Sequence, residues 1–175
     1  MRVKLFFVIC TLISCNSINN SDKQPISGNH PPTDTLSNKK PKADFMTYDE
    51  SLEATKQFYP FERWRKNFFP DPDDPDSEGM KQYTQENCNK AKAVFDNLID
   101  QLKKIGQNAS EQSKVGLFKT AVLSLNNLNN KIEGLIETGE REDLCELIDQ
   151  ITIAAGLDPK NYAGGEGISD EWRDW

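Results

Sequence analysis

The chain has 175 residues, of which 36% are apolar and 28% charged, with a formal net charge of -7 and a mean hydropathy of -0.70. That length admits one ordered domain with accessory segments and makes two domains a stretch. The polarity requires a good part of the chain to be solvated. The acidic balance argues against nucleic acid and anionic headgroups as partners and favours a basic one.

The chain opens with Arg2 and Lys4, runs through the apolar stretch from Leu5 to Ile13, and reaches Ser14 and Cys15. A basic start, a short apolar core and a small residue at a junction are the grammar of a signal peptide. The apolar stretch is far shorter than the ~20 residues of a spanning helix. Leu12-Ile13-Ser14-Cys15 resembles the lipobox of bacterial lipoproteins. The resemblance implies cleavage before Cys15, a lipid on its thiol, and acylation of the new amino terminus. Several acyl chains then anchor firmly, since each buried methylene adds ~0.8 kcal/mol and a single chain holds only reversibly. Asn16, rather than Asp, follows the cysteine, which through the same resemblance favours the outer membrane in a host that has one. An ordinary secretory signal with an incidental cysteine is the other reading; it keeps export and drops the anchor.

With residues 1–14 removed, the mature chain carries -9, because Arg2 and Lys4 leave with the signal. Residues 15–44 are rich in Asn, Ser, Lys, Pro and Thr, with scattered Ile18, Ile26 and Leu36, and bury too little to offset ordering. They read as a tether, with a coil-like reach on the order of 30 Å. Its charge sums to +1, so the domain from residue 45 to 175 carries -10.

Within that domain, Thr47 to Glu50 fits a capping box that opens a short helix toward Tyr59, and Pro60 interrupts it before the aromatic stretch from Phe61 to Phe69. An acidic, proline-broken loop follows from Pro70 to Glu78. Thr84, Cys88, Ala91, Phe95, Leu98, Leu102 and Ile105 are spaced by three and four, the pattern of one helix face, and Gly106 stops it. Ser110 caps a third helix with the stripe Phe118, Ala121, Leu125, Leu128, Ile132 and Leu135, ending at Gly134 or Gly139. A fourth runs through Leu144, Leu147, Ile148, Ile151 and Ala155 to Gly156, with Ser169 capping a last turn before Trp172 to Trp175. No sustained alternation predicts a strand. The expected fold is all-α, an antiparallel helical bundle.

The chemical candidates are few. His30 is the chain's one histidine and lies in the tether, so no Ser-His or Cys-His pair and no histidine-bearing zinc site can be built from the domain. Glu137, Glu140, Glu142 and Glu146 leave open a carboxylate-pair hydrolase against the alternative of a solvated acidic face. The loop from Asp71 to Glu78 offers oxygen ligands of the kind calcium takes but lacks the EF-hand order, with Asp76 in place of the turn glycine and Gln82 in place of the bidentate glutamate. Cys88 and Cys145 remain after Cys10 leaves and Cys15 is lipidated, either as a disulfide between two helices or as two free thiols. Trp64, Trp172 and Trp175 either fill the core or form part of a partner-binding patch.

Over the last 45 or so residues, Ile136-Glu137-Thr138, Arg141-Glu142, Ile153 to Gly156 and the closing Trp172-Arg173-Asp174-Trp175 resemble a family of small bacterial helical proteins that end in a similar Arg-acid-Trp tail. Gly139 and the Gly-rich stretch before the tail depart from that family's pattern. The resemblance implies a helical fold and carries over no activity, cofactor or catalytic residue. The expectation is therefore a membrane-anchored lipoprotein of the cell envelope with a non-enzymatic binding domain, without cofactor or metal. An inhibitor or immunity-type protein facing a basic partner is one form of it, and an envelope hydrolase using paired carboxylates is the alternative.

Overall fold

The computed structural model describes residues 46–175. The lipobox with Cys15, the tether and His30 lie outside the described residues. The helices form where the sequence supplies caps. Thr47 Oγ1 accepts from the Glu50 N–H at 3.2 Å while Glu50 Oε2 accepts from the Thr47 N–H at 2.7 Å, so the capping box opens α1 (Tyr48–Ala54). A 3-10 turn, Thr55–Phe58, carries the chain to Pro60, which heads α2 (Phe61–Lys66), where its missing N–H costs nothing. After the irregular acidic loop comes α3 (Gln85–Ile105). Thr84 is its cap rather than the first residue of its stripe, accepting from the Asn87 N–H at 3.1 Å. Gly106 ends α3 at φ +79°, a conformation that costs a side-chain-bearing residue energy.

Ser110 caps α4 (Glu111–Lys131), as its position predicts. Neither expected glycine ends this helix. It stops at Lys131, Gly134 turns the chain at φ +70°, and Gly139 sits inside α5 (Thr138–Ala154). Three 3-10 turns follow, Pro159–Asn161, Ala163–Gly165 and Ile168–Glu171. Ser169 lies buried within the last of them and does not cap it, because its hydroxyl is drawn to Cys145 Sγ at 3.6 Å. All regular structure among the described residues is helical, and no helix there is long and apolar enough to cross a membrane.

The helices pack around one core. Tyr48 Oη donates to the Leu102 carbonyl at 3.5 Å, Lys103 pairs with Glu53 at 3.1 Å, and Tyr59 Oη donates to Asp96 Oδ1 at 3.1 Å, so α1 and the turn after it run antiparallel to α3. A short connection from Gly106 to Ser110 folds α4 back on α3. The α5 helix runs antiparallel to α4: buried Lys114, near the start of α4, donates to the carbonyl of Ala155, the cap of α5, at 2.8 Å, and to that of Gln107 at 2.8 Å. Phe95, Ile99, Leu102, Phe118, Val122, Leu125, Leu144, Leu147 and Ile151 are fully buried between these helices. Burying each contributes on the order of 1.5 to 3 kcal/mol.

Candidate functional site

The tryptophans divide. Trp64 is 1% exposed, so it is a core residue and not a partner contact. Its ring meets Phe61 edge-on at 5.3 Å, and its Nε1 donates to Asp143 Oδ2 at 2.8 Å, fastening α2 to the first turns of α5. Arg63 pairs with the same carboxylate. Trp172 and Trp175 are half-buried and packed against the core. Asn126 Nδ2 donates to the Trp172 carbonyl at 2.8 Å, and the Lys119 ammonium stands 5.9 Å from the Trp172 ring centre. Arg173 lies over the Trp175 ring at 5.7 Å and donates to Asp170 at 2.8 Å, so the tail folds back on the bundle.

Cys88 and Cys145 are both free thiols, Cys88 buried on α3 and Cys145 half-buried on α5 beneath Ser169. The disulfide between them is not formed. Burial pushes both thiols up, and the Ser169 hydroxyl partly offsets this at Cys145. In the acidic loop, Asp71 Oδ1 accepts from the Asp73 N–H and Asp74 Oδ1 from the Asp76 N–H, each at 3.0 Å, so these carboxylates are engaged in the loop's own turns. No three His, Cys, Asp or Glu converge as a metal cage among the described residues.

The four glutamates separate by role. Glu140 is buried and accepts from the Glu137 N–H at 3.3 Å, serving the start of α5. Glu142 and Glu146 are exposed and one turn apart. With Asp149 and Ile153 they stand at successive intervals of four, three and four, which places all four side chains on the face of α5 opposite its buried Leu144, Leu147, Ile148 and Ile151. The stripe is about 16 Å long at a helix rise of ~1.5 Å per residue. Ile153 is 57% exposed. Beside it a hollow of about 630 Å³ is lined by Glu146, Gln150, Leu157, Pro159 and Lys160 among others. A second hollow of about 230 Å³ shares Glu146 and is bounded by Phe58, Arg63 and Asp143.

Asp149 closes the stripe toward the tail. Gly167 crosses it at φ +101°, and a Cβ there would lie 2.8 Å from Asp149 Oδ1. That oxygen is buried without a hydrogen-bond partner among the described residues. Desolvation, and then the nearby Asp170, hold its carboxyl above the usual range. The domain's charge concentrates here: residues 137–175 hold eleven carboxylates against three cations, whereas residues 46–136 hold fourteen against twelve.

Of this surface, sequence reasoning missed Ile153 as an exposed residue, although the signal was present, since Ile153 falls off the stripe Leu144, Leu147, Ile148, Ile151 and Ala155. Asp149 carried no such signal, because its burial depends on the distant Gly167. No protein-family model, no curated protein and no solved structure matches the chain.

Proposed function

We propose that the chain is a lipid-anchored protein of the bacterial cell envelope, cleaved before Cys15, whose helical domain binds a basic protein partner and performs no catalysis. The observation that carries the binding half is the charge segregation, with eleven carboxylates against three cations on α5 and the tail. Such a net negative charge attracts a cationic surface and repels nucleic acid and anionic lipid. An inhibitor or immunity-type protein, masking a basic enzyme or toxin, is the form that uses this charge most directly. The anchoring half rests on the resemblance of Leu12 to Cys15 to a lipobox.

Two measurements test the halves separately. Wild-type protein should partition with membranes and detergent, and Cys15→Ala should release it or leave the precursor uncleaved; a Cys15→Ala chain that matures and stays in the detergent phase removes the anchor. Crosslinking in whole cells followed by purification should recover a partner of high isoelectric point. If the purified chain instead cleaves an envelope polysaccharide, and loses that activity on substitution of Glu142 or Glu146, the carboxylate-pair hydrolase replaces the binding protein.

A further inference from the structure

The inner face of α5 is complete without Ile153, since Leu144, Leu147 and Ile151 are fully buried on the side toward the bundle. Ile153 nevertheless stands more than half exposed next to the largest of the hollows around α5, with Leu157 and Pro159 on its walls. An isolated exposed isoleucine would be unremarked; one set beside a concavity and flanked by carboxylates is the arrangement of an apolar anchor site within a charged rim. The carboxylates differ in whether they are spent. Asp143 is paired with Arg63 and Asp170 with Arg173, whereas Glu142 and Glu146 make no ion pair among the described residues.

We propose that the outer stripe of α5 and the hollow beside Ile153 are the docking site for a cationic, amphipathic segment of a protein partner. An apolar side chain of the partner packs against Ile153, Leu157 and Pro159, while its lysines or arginines lie over Glu142 and Glu146. Charge selects this occupant. An anionic lipid surface is repelled by the stripe. A second copy of the chain offers no matching cationic stripe: on α3 and α4, Lys90 is paired with Glu86, Lys92 with Asp96 and Lys103 with Glu53, Lys114 is buried, and the exposed, unpaired Lys104, Lys119 and Lys131 stand singly, the first on α3 and the other two far apart along α4. The site rests on the binding-domain reading and gives that partner its chemistry.

The test uses the mature full-length chain in detergent micelles and a synthetic helical peptide about 14 residues long, with lysines on one face and leucines on the other. A lysine peptide of equal charge without leucine is the comparison. Amide-exchange protection on peptide addition should centre on residues 142–157. Ile153→Asp and Glu146→Lys, both surface substitutions whose folding is checked by melting, should each weaken binding by about tenfold or more, and the leucine-free peptide should bind weaker by a similar factor. Protection elsewhere, equal affinity for the two peptides, indifference to both substitutions, or self-association of the free chain through this face would each overturn the proposal. Failure of the site and failure of the broader reading separate cleanly. A crosslinked cellular partner that still binds Ile153→Asp and Glu146→Lys removes the site and leaves the binding protein. Absence of any partner for the wild type removes the binding protein, and the peptide footprint still judges the groove.

Discussion

Lys114 is a lysine where a bundle ordinarily places an apolar residue. At 5% exposed, it donates to the carbonyls of Gln107 and Ala155 and stands 5.4 Å over the Tyr48 ring, so one ammonium joins the α3–α4 connection, the end of α5 and α1. A cation at a helix carboxyl end also suits its dipole. Lys114→Met keeps the length of the side chain but strands two carbonyls, and should cost about 2 kcal/mol. At roughly 3 to 6 °C per kcal/mol, the melting midpoint should fall by some 6 to 12 °C. A melt unchanged from wild type would show that water satisfies both carbonyls equally well. Asp149 has the opposite character, a carboxylate whose burial works against the fold. Its carboxyl is held above the ordinary value of 3.8, so the folded chain keeps this proton at pH values where the unfolded chain has lost it. Its contribution is therefore full below that value and declines as pH rises through the raised one. Asp149→Asn should remove this decline, so that variant and wild type converge at acid pH and the variant melts higher at neutral pH. Parallel melting curves across the whole range would contradict the assignment.

Among the elements, the tail is the most exposed to test. It supplies the fully buried Ile168 and the half-buried Trp172 and Trp175, and its Ser169 covers Cys145. Deleting residues 169–175 should lower the melting midpoint by several degrees. It should also raise the rate at which native Cys145 is alkylated, with Cys88 still protected inside α3. Equal melting and equal labelling would mean that the tail does not pack in solution. How far such elements were readable depended on the range of the interactions that make them. Caps at Thr47 and Ser110 and the stop at Gly106 are decided within four residues of chain, and each was legible. Gly134 and Gly139 could not be ranked by local signals, because only the turn into α5 gives one of them a positive φ. Ser169 looked like a cap since it precedes acidic residues, yet Cys145, 24 positions earlier, claims its hydroxyl. Trp64 looked available to a partner until Asp143, 79 positions away, took its indole proton.

At the scale of the whole domain, charge is the organising variable. Crowding eleven carboxylates with three cations into residues 137–175 sets them against one another. Raising salt shortens the Debye length from about 30 Å at 0.01 M to about 8 Å at 0.15 M, and so relieves this repulsion. The free domain should melt higher as sodium chloride rises over that interval, while association with a cationic partner slows and weakens. A free domain that loses stability with salt would place the repulsion in the unfolded chain instead. The same segregation leaves a mark on how the molecule can change over generations. The wall that α5 turns toward the core and the shelf it turns outward lie on opposite sides of one helix, so the exposed Glu142, Glu146 and Ile153 can be rewritten while Leu144, Leu147 and Ile151 stay buried. With the proposed docking site on that shelf, a lineage would alter what it recognises through single replacements, with no folding-deficient ancestor in between.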